Sequence, residues 1–356
     1  MEDRGVGITR EAILGERLRR QHLVCPLETA VGYLELFRLL QPVSTIAFTR
    51  PGDPPRLVPR VRFDDGAVAN GKRSRREMVK GRFLGGTIGY VLADDLELYA
   101  NAFCRPLPMP NETQRLVLEA VQDMGPLTPR QVKEETDLLN KHIMPALHRL
   151  QKAFLVYEDQ TDDDWERGWY DFGVEWSDVE LDENKWQSSA TEVLLRFLEG
   201  HVFATAEQIK DWSQLPKRSL TALLRGMEEA GTIAPVSVDG LGEGWVRSQD
   251  AVLVGEGPEP SVFMLHRADC FVRSHTSELK RRFGAHEVLQ YLLIDGAFQG
   301  AVVGHWRIGP HDVSDVVVTL PAEERVRRRD EILASVAQWY HPPRHHILQY
   351  DGQPIL

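Results

Sequence analysis

The first 110 residues combine two helical patterns of apolar positions with two patterns typical of strands. Both predicted helices are amphipathic, and both predicted strands are short and bounded by turn-forming residues. The four elements are predicted at residues 9–22, 28–40, 43–49 and 57–63. Gln41-Pro42 lies where the second helix gives way to the first strand, and proline confines the residue before it to extended backbone. We therefore expect the Gln41 amide to be fixed and to point out of an apolar frame, although a simple helix-ending role also fits this position.

A run of cations follows the second predicted strand, within eleven positions: Lys72, Arg73, Arg75, Arg76, Lys80 and Arg82. A solvated helix face is the ordinary explanation for such a run. A ridge that binds phosphates is the sharper explanation, and its position beside Gln41 favours it. Beyond the run, Gly85 and Gly86 permit close backbone approach, and Asp94-Asp95 is expected to begin a short helix.

From residue 111 onward, one order of elements is predicted twice, namely helix, short helix, helix and hairpin. This order, at a repeat of about 75 to 80 residues, is typical of winged helix-turn-helix units. The third helix begins near Lys141 in the first copy and near Lys217 and Arg218 in the second, where contacts to DNA phosphates are usual. The first hairpin has an acidic tip at residues 162–166, which phosphates would repel, so it should face solvent or protein. Such units also serve as protein-interaction or spacer modules.

The residues after 256 predict a small α/β unit with a tight turn at Asp295-Gly296. Its predicted elements are strands at 290–294, 300–307 and 313–320 and a helix at 323–340. The fold class expected for the whole chain is α+β and mostly helical, in four units. These are an N-terminal helical and strand region at 1–110, winged helices at 111–185 and 186–256, and a C-terminal α/β cap at 257–356.

Charge is unevenly distributed along the 356 residues, whose formal net charge is −11. Residues 4–82 hold sixteen Lys or Arg against eight Asp or Glu, while residues 156–187 hold twelve acids against two bases. Because the Debye length is about 8 Å at physiological salt, a distant acidic segment does not cancel a basic face. The distribution is compatible with a polyanion on one side, and duplex DNA is the partner that the helix-turn-helix pattern suggests.

Other features limit the location and chemistry. The N-terminal residues are polar, and no apolar run approaches the roughly 18 residues of a membrane span, so we expect a cytoplasmic protein that joins the nucleoid when bound to DNA. Cys25, Cys104 and Cys270 are isolated, and the C-terminal histidines lack acidic or cysteine neighbours. We expect no metal, no cofactor, no membrane partner and a monomer.

Several of these features together resemble one known family. The tandem helix-turn-helix pattern, the strand led by Gln41 and the Gly-x-x-x-Gly-x-Trp stretch at 300–306 look like the crosslink-repair DNA glycosylase family of the AlkZ/YcaQ type. In that family the strand carries Gln-x-Gln or Gln-x-Asp with two arginines downstream, and Gln41, Arg50 and Arg60 occupy those places. The family's Arg-Gly-Thr-Leu-His segment is similar to residues 85–89. The resemblance implies hydrolysis of the bond between the sugar and an N-alkylated purine in damaged or crosslinked duplex DNA.

Three positions depart from the family's pattern. Val43 stands in place of the second catalytic polar residue, and Gly85 and Gly89 stand in place of the arginine and the histidine. An alkylated purine leaves readily, so the protein would mainly flip out the nucleotide, hold a water and stabilise a cationic sugar. The three departures lead to the second hypothesis, a non-catalytic winged-helix regulator or damage sensor. A protein-interaction scaffold is the third.

The candidate site residues follow from these arguments. Gln41 and Ser44 are candidates for holding a water, and Asp64 or Asp65 for supplying a carboxylate, although a plain turn after a strand also explains the two aspartates. The candidate DNA-binding residues are Arg50, Arg60, Lys72, Arg73, Arg75, Arg76, Lys80, Arg82, Lys141, Lys217 and Arg218.

Overall fold

The computed structural model describes residues 8–46, 53–159, 167–305 and 312–355. The N-terminal elements are α1 (Arg10–Arg20), α2 (Tyr33–Leu40), α3 (Asp65–Ser74), β1 (Met78–Arg82), β2 (Ile88–Leu92) and α4 (Leu96–Phe103). Thr9 caps α1 by accepting a hydrogen bond from the Ala12 N–H at 3.2 Å, as its position predicts. A short 3-10 turn that includes Asp94 and Asp95 leads into α4, which confirms the predicted helix start.

Residues 57–63 do not form the predicted strand. Leu57 donates its backbone N–H to the Asp65 carboxylate at 2.7 Å, and Val61 makes only an isolated β-bridge. The alternation of apolar and polar side chains is misleading here because Arg60, a polar position of the pattern, is 2% exposed. The segment is irregular chain packed against α3 and the C-terminal unit.

Other N-terminal elements are shorter than predicted or divided. The second helix begins at Tyr33 rather than at residue 28. Val43 pairs with Tyr90 in a β-bridge, while residues 47–52 of the next predicted strand and turn, including Arg50, lie outside the described residues. The basic run is divided between α3 and β1, which are joined by a turn with Arg76 in the left-handed region (φ 59°).

The predicted order of elements is present in both central repeats. The first contains α5 (Glu112–Met124), α6 (Pro129–Thr136), α7 (Asn140–Lys152), β3 (Val156–Glu158) and β4 (Trp169–Asp171), with α8 (Phe172–Glu175) behind it. The second contains α9 (Trp186–His201), β5 (Phe203–Ala204), α10 (Ala206–Ser213), α11 (Lys217–Glu229), β6 (Ile233–Val238) and β7 (Gly242–Arg247). Both short helices begin with a capping box, Thr128 with Gln131 and Thr205 with Gln208. The acidic tip of the first hairpin lies outside the described residues.

The C-terminal unit is built on a six-stranded sheet in the order β13-β12-β11-β10-β9-β8. Its elements are β8 (Val262–His266), α12 (Cys270–Ser274), α13 (Thr276–Phe283), β9 (Val288–Ile294), β10 (Ala297–Gly304), β11 (Val313–Val318), α14 (Ala322–Arg327), α15 (Arg329–Ala337), β12 (Gln349–Tyr350) and β13 (Gln353–Pro354). The Asp295-Gly296 turn between β9 and β10 is confirmed, with both residues at positive φ. Strand β8 is not among the strands predicted for this unit, because a short apolar run has no distinguishing period.

Hydrophobic clusters cross the boundaries between the predicted units. One cluster contains Phe83 of the N-terminal region, Phe154 of the first repeat and Trp212 of the second. Helix α1 packs Ile13 against the second repeat and Leu18 against the C-terminal unit. The architecture is a mixed α+β fold, and the four-unit division stays a prediction. No helix among the described residues is long and apolar enough to cross a membrane.

Candidate functional site

Gln41 is buried and both polar atoms of its amide bind protein. Its Nε2 donates to Asp95 Oδ2 at 2.8 Å, and its Oε1 accepts from the Leu92 N–H at 2.9 Å. The side chain is 2% exposed. The expectation that this amide points out of an apolar frame is therefore wrong, because a carboxylate at the start of α4 is close enough to bind it.

Asp95 joins three helices around this amide. It accepts from Arg38 Nε on α2 and from Arg196 Nη1 on α9, each at 2.8 Å, as well as from Gln41. Burial alone would raise the pKa of Asp95, but these hydrogen bonds outweigh burial and hold the pKa below its usual value. The carboxylate is a structural centre of the N-terminal region.

The two other carboxylate candidates organise α3. Asp64 caps this helix by accepting from the Gly66 N–H at 3.1 Å, and Asp65 is fully buried against Arg56 and the Leu57 N–H. Neither lines the large cleft described below. The plain structural explanation of this pair therefore fits the structure, and the expected carboxylate beside Gln41 is not supplied by them.

Three cations of the basic run have carboxylates of the same chain as partners. Lys72 and Arg75 both bind Glu77, and Arg76 pairs with Asp159 at 3.4 Å. Lys72 and Arg75 share one carboxylate, that of Glu77 within the run itself, and the Arg75 side chain stays 60% exposed. The phosphate-binding ridge stays a prediction at these positions, where carboxylates of the same chain compete for its cations.

Two further members of the run are buried. Arg73 is 7% exposed and donates to Asn70 Oδ1 at 2.8 Å. Lys80 is 4% exposed and pairs with Glu158 at 2.7 Å. Burial lowers the pKa of Lys80 to about 8, although Glu158 opposes that shift. Neither side chain is accessible to a duplex in this structure.

Arg60, the second arginine of the resemblance, is also sealed inside the protein. It makes two hydrogen bonds to the Asp269 carboxylate, at 2.6 and 3.0 Å, and one to Gln21 Oε1 at 2.8 Å. The DNA-contact expectation is wrong for this residue. Its role is to join the N-terminal region to the C-terminal unit.

A different group of cations forms no ion pair, although the charge of Glu158 acts on one of its members, Arg82. We call it the cation cluster: Arg82, Arg105, Arg149 and Lys152. Arg82 donates to Gln151 Oε1 and the Gly86 carbonyl, and Arg149 donates to the carbonyls of residues 105 and 106, all neutral acceptors. No ion pair of any of the four is found in the described part of the chain. Burial, and then repulsion by the three arginines, lowers the pKa of Lys152. Such uncompensated positive charge favours an anionic ligand.

The Gly85–Gly86 loop connects the cluster to the rest of the site. Both glycines have positive φ, +66° and +86°. A Cβ on Gly86 would lie 2.5 Å from Lys152 Cε, and a Cβ on Gly85 would lie 2.9 Å from the side chain of Gln214. The positive φ and these close approaches favour glycine at both positions between the two repeats.

A cleft of about 640 Å³ lies beside this loop and is lined by the N-terminal region, α10, α12 and α13. We call it the cleft. Its walls include Ser44, Asp211, Arg273 and Lys280. Ser44 donates its hydroxyl to the Ile88 carbonyl at 2.9 Å, so the one sequence-predicted catalytic candidate that reaches this space is already oriented. A groove of about 410 Å³ shares Gly85 with the cleft and extends to Arg105 of the cluster.

Helix α7 carries a basic face toward the same region. Lys141 and Lys152 are eleven positions apart, about three full helical turns and about 16 Å, so they lie on one face. His148, between them, is half-buried, and burial with the nearby positive charge of Arg82 lowers its pKa to about 4. Lys141 is exposed, as are Lys217 and Arg218 at the start of α11.

Sequence reasoning missed Arg105, Asp211 and Arg273 as site residues. Lys152 is within reach of sequence reasoning, because positions 141, 148 and 152 share one helical face of α7. Nothing local distinguishes Asp211 or Arg273, because the cleft is assembled from distant segments. In the described ranges, no group of three or more His, Cys, Asp or Glu is placed to hold a metal ion.

Comparison with known families decides the relationship. A family model described as DNA glycosylase AlkZ-like matches residues 55–340. The chain belongs to the AlkZ-like DNA glycosylase family. The resemblance drawn from the sequence is thereby confirmed, and membership supports a DNA-repair glycosylase type of function with DNA as partner. The match begins after Gln41, Ser44 and Arg50 and contains the whole cation cluster, so AlkZ-like membership does not depend on the predicted catalytic strand.

A solved structure shares the fold of this AlkZ-like chain. The Streptomyces sahachiroi DNA glycosylase AlkZ aligns with a TM-score of 0.70 and 14% sequence identity, over 97% of this chain and all of that one. At this identity the likeness concerns the fold. No curated protein sequence matches.

Proposed function

We propose that this AlkZ-like protein is a DNA-repair glycosylase that binds damaged duplex DNA across the cation cluster and releases an N-alkylated purine in the cleft. The two central repeats act as winged helices in this proposal. The α7 face with Lys141 and Lys152 follows one phosphate backbone, and Lys217 and Arg218 contact the backbone from the second repeat.

The observation that carries the proposal is the junction of uncompensated cations with a cleft of nucleotide size. Phosphate contacts need cations that the protein itself does not neutralise, and Arg105 and Lys152 meet that need. A cleft of about 640 Å³ lies within the usual range for small-molecule sites of about 300 to 1,000 Å³. An enzyme that acts on a base must extrude it from the stack, so a pocket beside the duplex surface suits this chemistry.

Asp211 is the carboxylate that we assign to the chemistry. It lines the cleft, and both of its oxygens are held by Ser277, Oδ2 by the backbone N–H at 2.5 Å and Oδ1 by the hydroxyl at 2.8 Å. A fixed carboxylate stabilises the positive charge that develops on the sugar as the purine leaves with the electrons of the glycosidic bond. A water from solvent then adds to the sugar carbon and gives its proton to solvent. Because an alkylated purine is already cationic, its departure needs little acid catalysis.

A base-release assay tests the proposal. A duplex with one N7-methylguanine is incubated with wild type, Asp211→Asn and the matched control Asp123→Asn, an exposed position on α5. We expect release by wild type and Asp123→Asn, and a loss of about 100-fold in Asp211→Asn with unchanged duplex affinity. No release by wild type above the spontaneous rate, or full activity in Asp211→Asn, would contradict the assignment.

One set of observations favours a second candidate, a damage sensor without catalysis. Gln41 is fully engaged by Asp95 and Leu92, and Val43 is part of a hydrophobic cluster. A sensor would bind lesion-containing duplex more tightly than intact duplex and release no base. The same assay, with affinities measured on both duplexes, separates the two functions.

A further inference from the structure

Arg273, on α12, connects three segments at the wall of the cleft. Its Nη2 donates to Thr87 Oγ1 at 2.9 Å and to the Leu84 carbonyl at 3.3 Å, and its Nη1 donates to Ser44 Oγ at 3.4 Å. A guanidinium has five N–H donors, so these contacts use three of them. The acceptors are all neutral.

No carboxylate in the described part of the chain pairs with Arg273. Burial lowers its pKa to about 10, so the positive charge is desolvated without an anion to offset it. Other arginines at segment junctions are paired differently: Arg60 binds Asp269 and Arg196 binds Asp95. Those two arginines are neutralised by buried carboxylates, whereas Arg273 is not.

Arg17 is an informative comparison. It also lacks a carboxylate partner, and it is held by the carbonyls of His201 and Phe203. However, Arg17 is 2% exposed in the core, where its donors are closed off, whereas Arg273 lines the open cleft. Of these two arginines, Arg273 is therefore the one that can present its remaining N–H donors to a ligand.

The surroundings favour a phosphate. Ser44 and Thr87 direct their hydroxyl protons at the carbonyls of Ile88 and Leu84, which leaves their oxygens to orient the guanidinium. Lys280 is exposed on the cleft wall and adds a second positive charge. A planar guanidinium with free donors binds a phosphate through two oxygens, and an ammonium beside it adds charge.

We propose that Arg273, with Lys280, binds the phosphate next to the extruded nucleotide and so holds that nucleotide in the cleft. This inference rests on the proposed function for its DNA ligand. The phosphate site is separate from the cation cluster, which binds the continuous backbone. Arg273 is a binding residue for the extruded nucleotide, and its loss should affect flipped substrates selectively.

Affinity for two duplexes tests the site. Fluorescence anisotropy compares an intact duplex with one that carries a tetrahydrofuran abasic-site analogue. We expect Arg273→Gln to lose about 10-fold in preference for the abasic duplex while its intact-duplex affinity stays within about twofold of wild type. Arg273→Lys should recover part of the preference. Arg281→Gln, an exposed arginine of α13 that pairs with Glu207 outside the cleft, is the matched control and should behave as wild type.

Inorganic phosphate provides a test without DNA. Phosphate should raise the melting temperature of wild type more than chloride at equal ionic strength, and Arg273→Gln should lose that difference. Lys280→Gln, a substitution at an exposed position that leaves the fold intact, should reduce the difference between phosphate and chloride. This second variant keeps the test valid if Arg273→Gln does not fold.

The outcomes separate the two proposals. If wild type binds neither duplex, the proposed function fails, and the phosphate-dependent melting alone decides the anion site. Unchanged abasic preference in Arg273→Gln, an equal loss on both duplexes, or a phosphate effect that persists without Arg273 and Lys280 would each overturn the inference.

Discussion

Reversing two charges of the cation cluster should weaken DNA binding in a calculable way. Lys152→Glu and Arg105→Glu remove two of four cations that form no ion pair among the described residues. Each phosphate contact contributes about −0.9 to the log–log salt slope of B-DNA affinity, so the four together give about −3.6. The double variant should show a slope flatter by about 1.8. With equal affinities at about 1 M salt, this slope difference makes its dissociation constant about 200-fold higher than that of wild type at 50 mM salt. Its folding stability should not fall, because like-charge repulsion inside the cluster is relieved.

The measurement is fluorescence anisotropy on one undamaged duplex between 50 and about 300 mM salt, a range over which the electrostatic term dominates. The charge-matched control is Arg115→Glu with Lys133→Glu, on exposed positions of α5 and α6. Equal slope changes in both double variants would show that only net charge matters. An unchanged slope in the cluster variant would refute the proposed interface.

Three further predictions concern residues that the structure makes internal. Gln41→Ala should lower the free energy of urea unfolding by about 2 kcal/mol and leave the salt slope unchanged, because the buried Leu92 N–H loses its acceptor and Asp95 loses one of three donors. Unchanged stability would contradict the burial of this amide. Arg60→Ala should lower the free energy of unfolding by about 3 to 5 kcal/mol, because it leaves the buried Asp269 carboxylate without its cation. DNA affinity should not change, and a loss of affinity in the folded variant would support a DNA-binding role for Arg60. Burial lowers the pKa of His275 to about 3 and that of His201 well below its usual value, so the unfolded chain binds more protons below pH 6.5. The free energy of unfolding should therefore be about 2 kcal/mol lower per histidine at pH 5 than at pH 7, and His275→Gln should show a smaller decrease. A free energy of unfolding in urea that does not change between these pH values would contradict this.

Local signals in the sequence predicted much of the fold. The helix predicted from residue 9 begins with Thr9 as its cap, because a side-chain oxygen satisfies orphan N–H groups within three residues. The Asp295-Gly296 hairpin is equally local. These features depend only on neighbouring residues, so the local sequence is enough to predict them.

The polar site could not be predicted in the same way. Whether Gln41 or Arg60 faces solvent depends on Asp95 and Asp269, which are 54 and 209 positions away. The charge run looked exposed for the same reason, since Lys80 meets its partner Glu158 only in the folded chain. A sequence lists cations, but long-range packing decides which of them remain available.

Site-directed disulfide crosslinking tests the central claim most directly. Thr276→Cys, in the cleft wall, and the control Lys133→Cys are each made in a Cys25→Ser background, because Cys25 is exposed. Each variant is mixed with a duplex that carries an activated thiol on the base of one unpaired nucleotide. The account predicts a crosslink to Thr276→Cys and none to Lys133→Cys. Duplex binding without a crosslink in the cleft, or equal crosslinking at both positions, would contradict it.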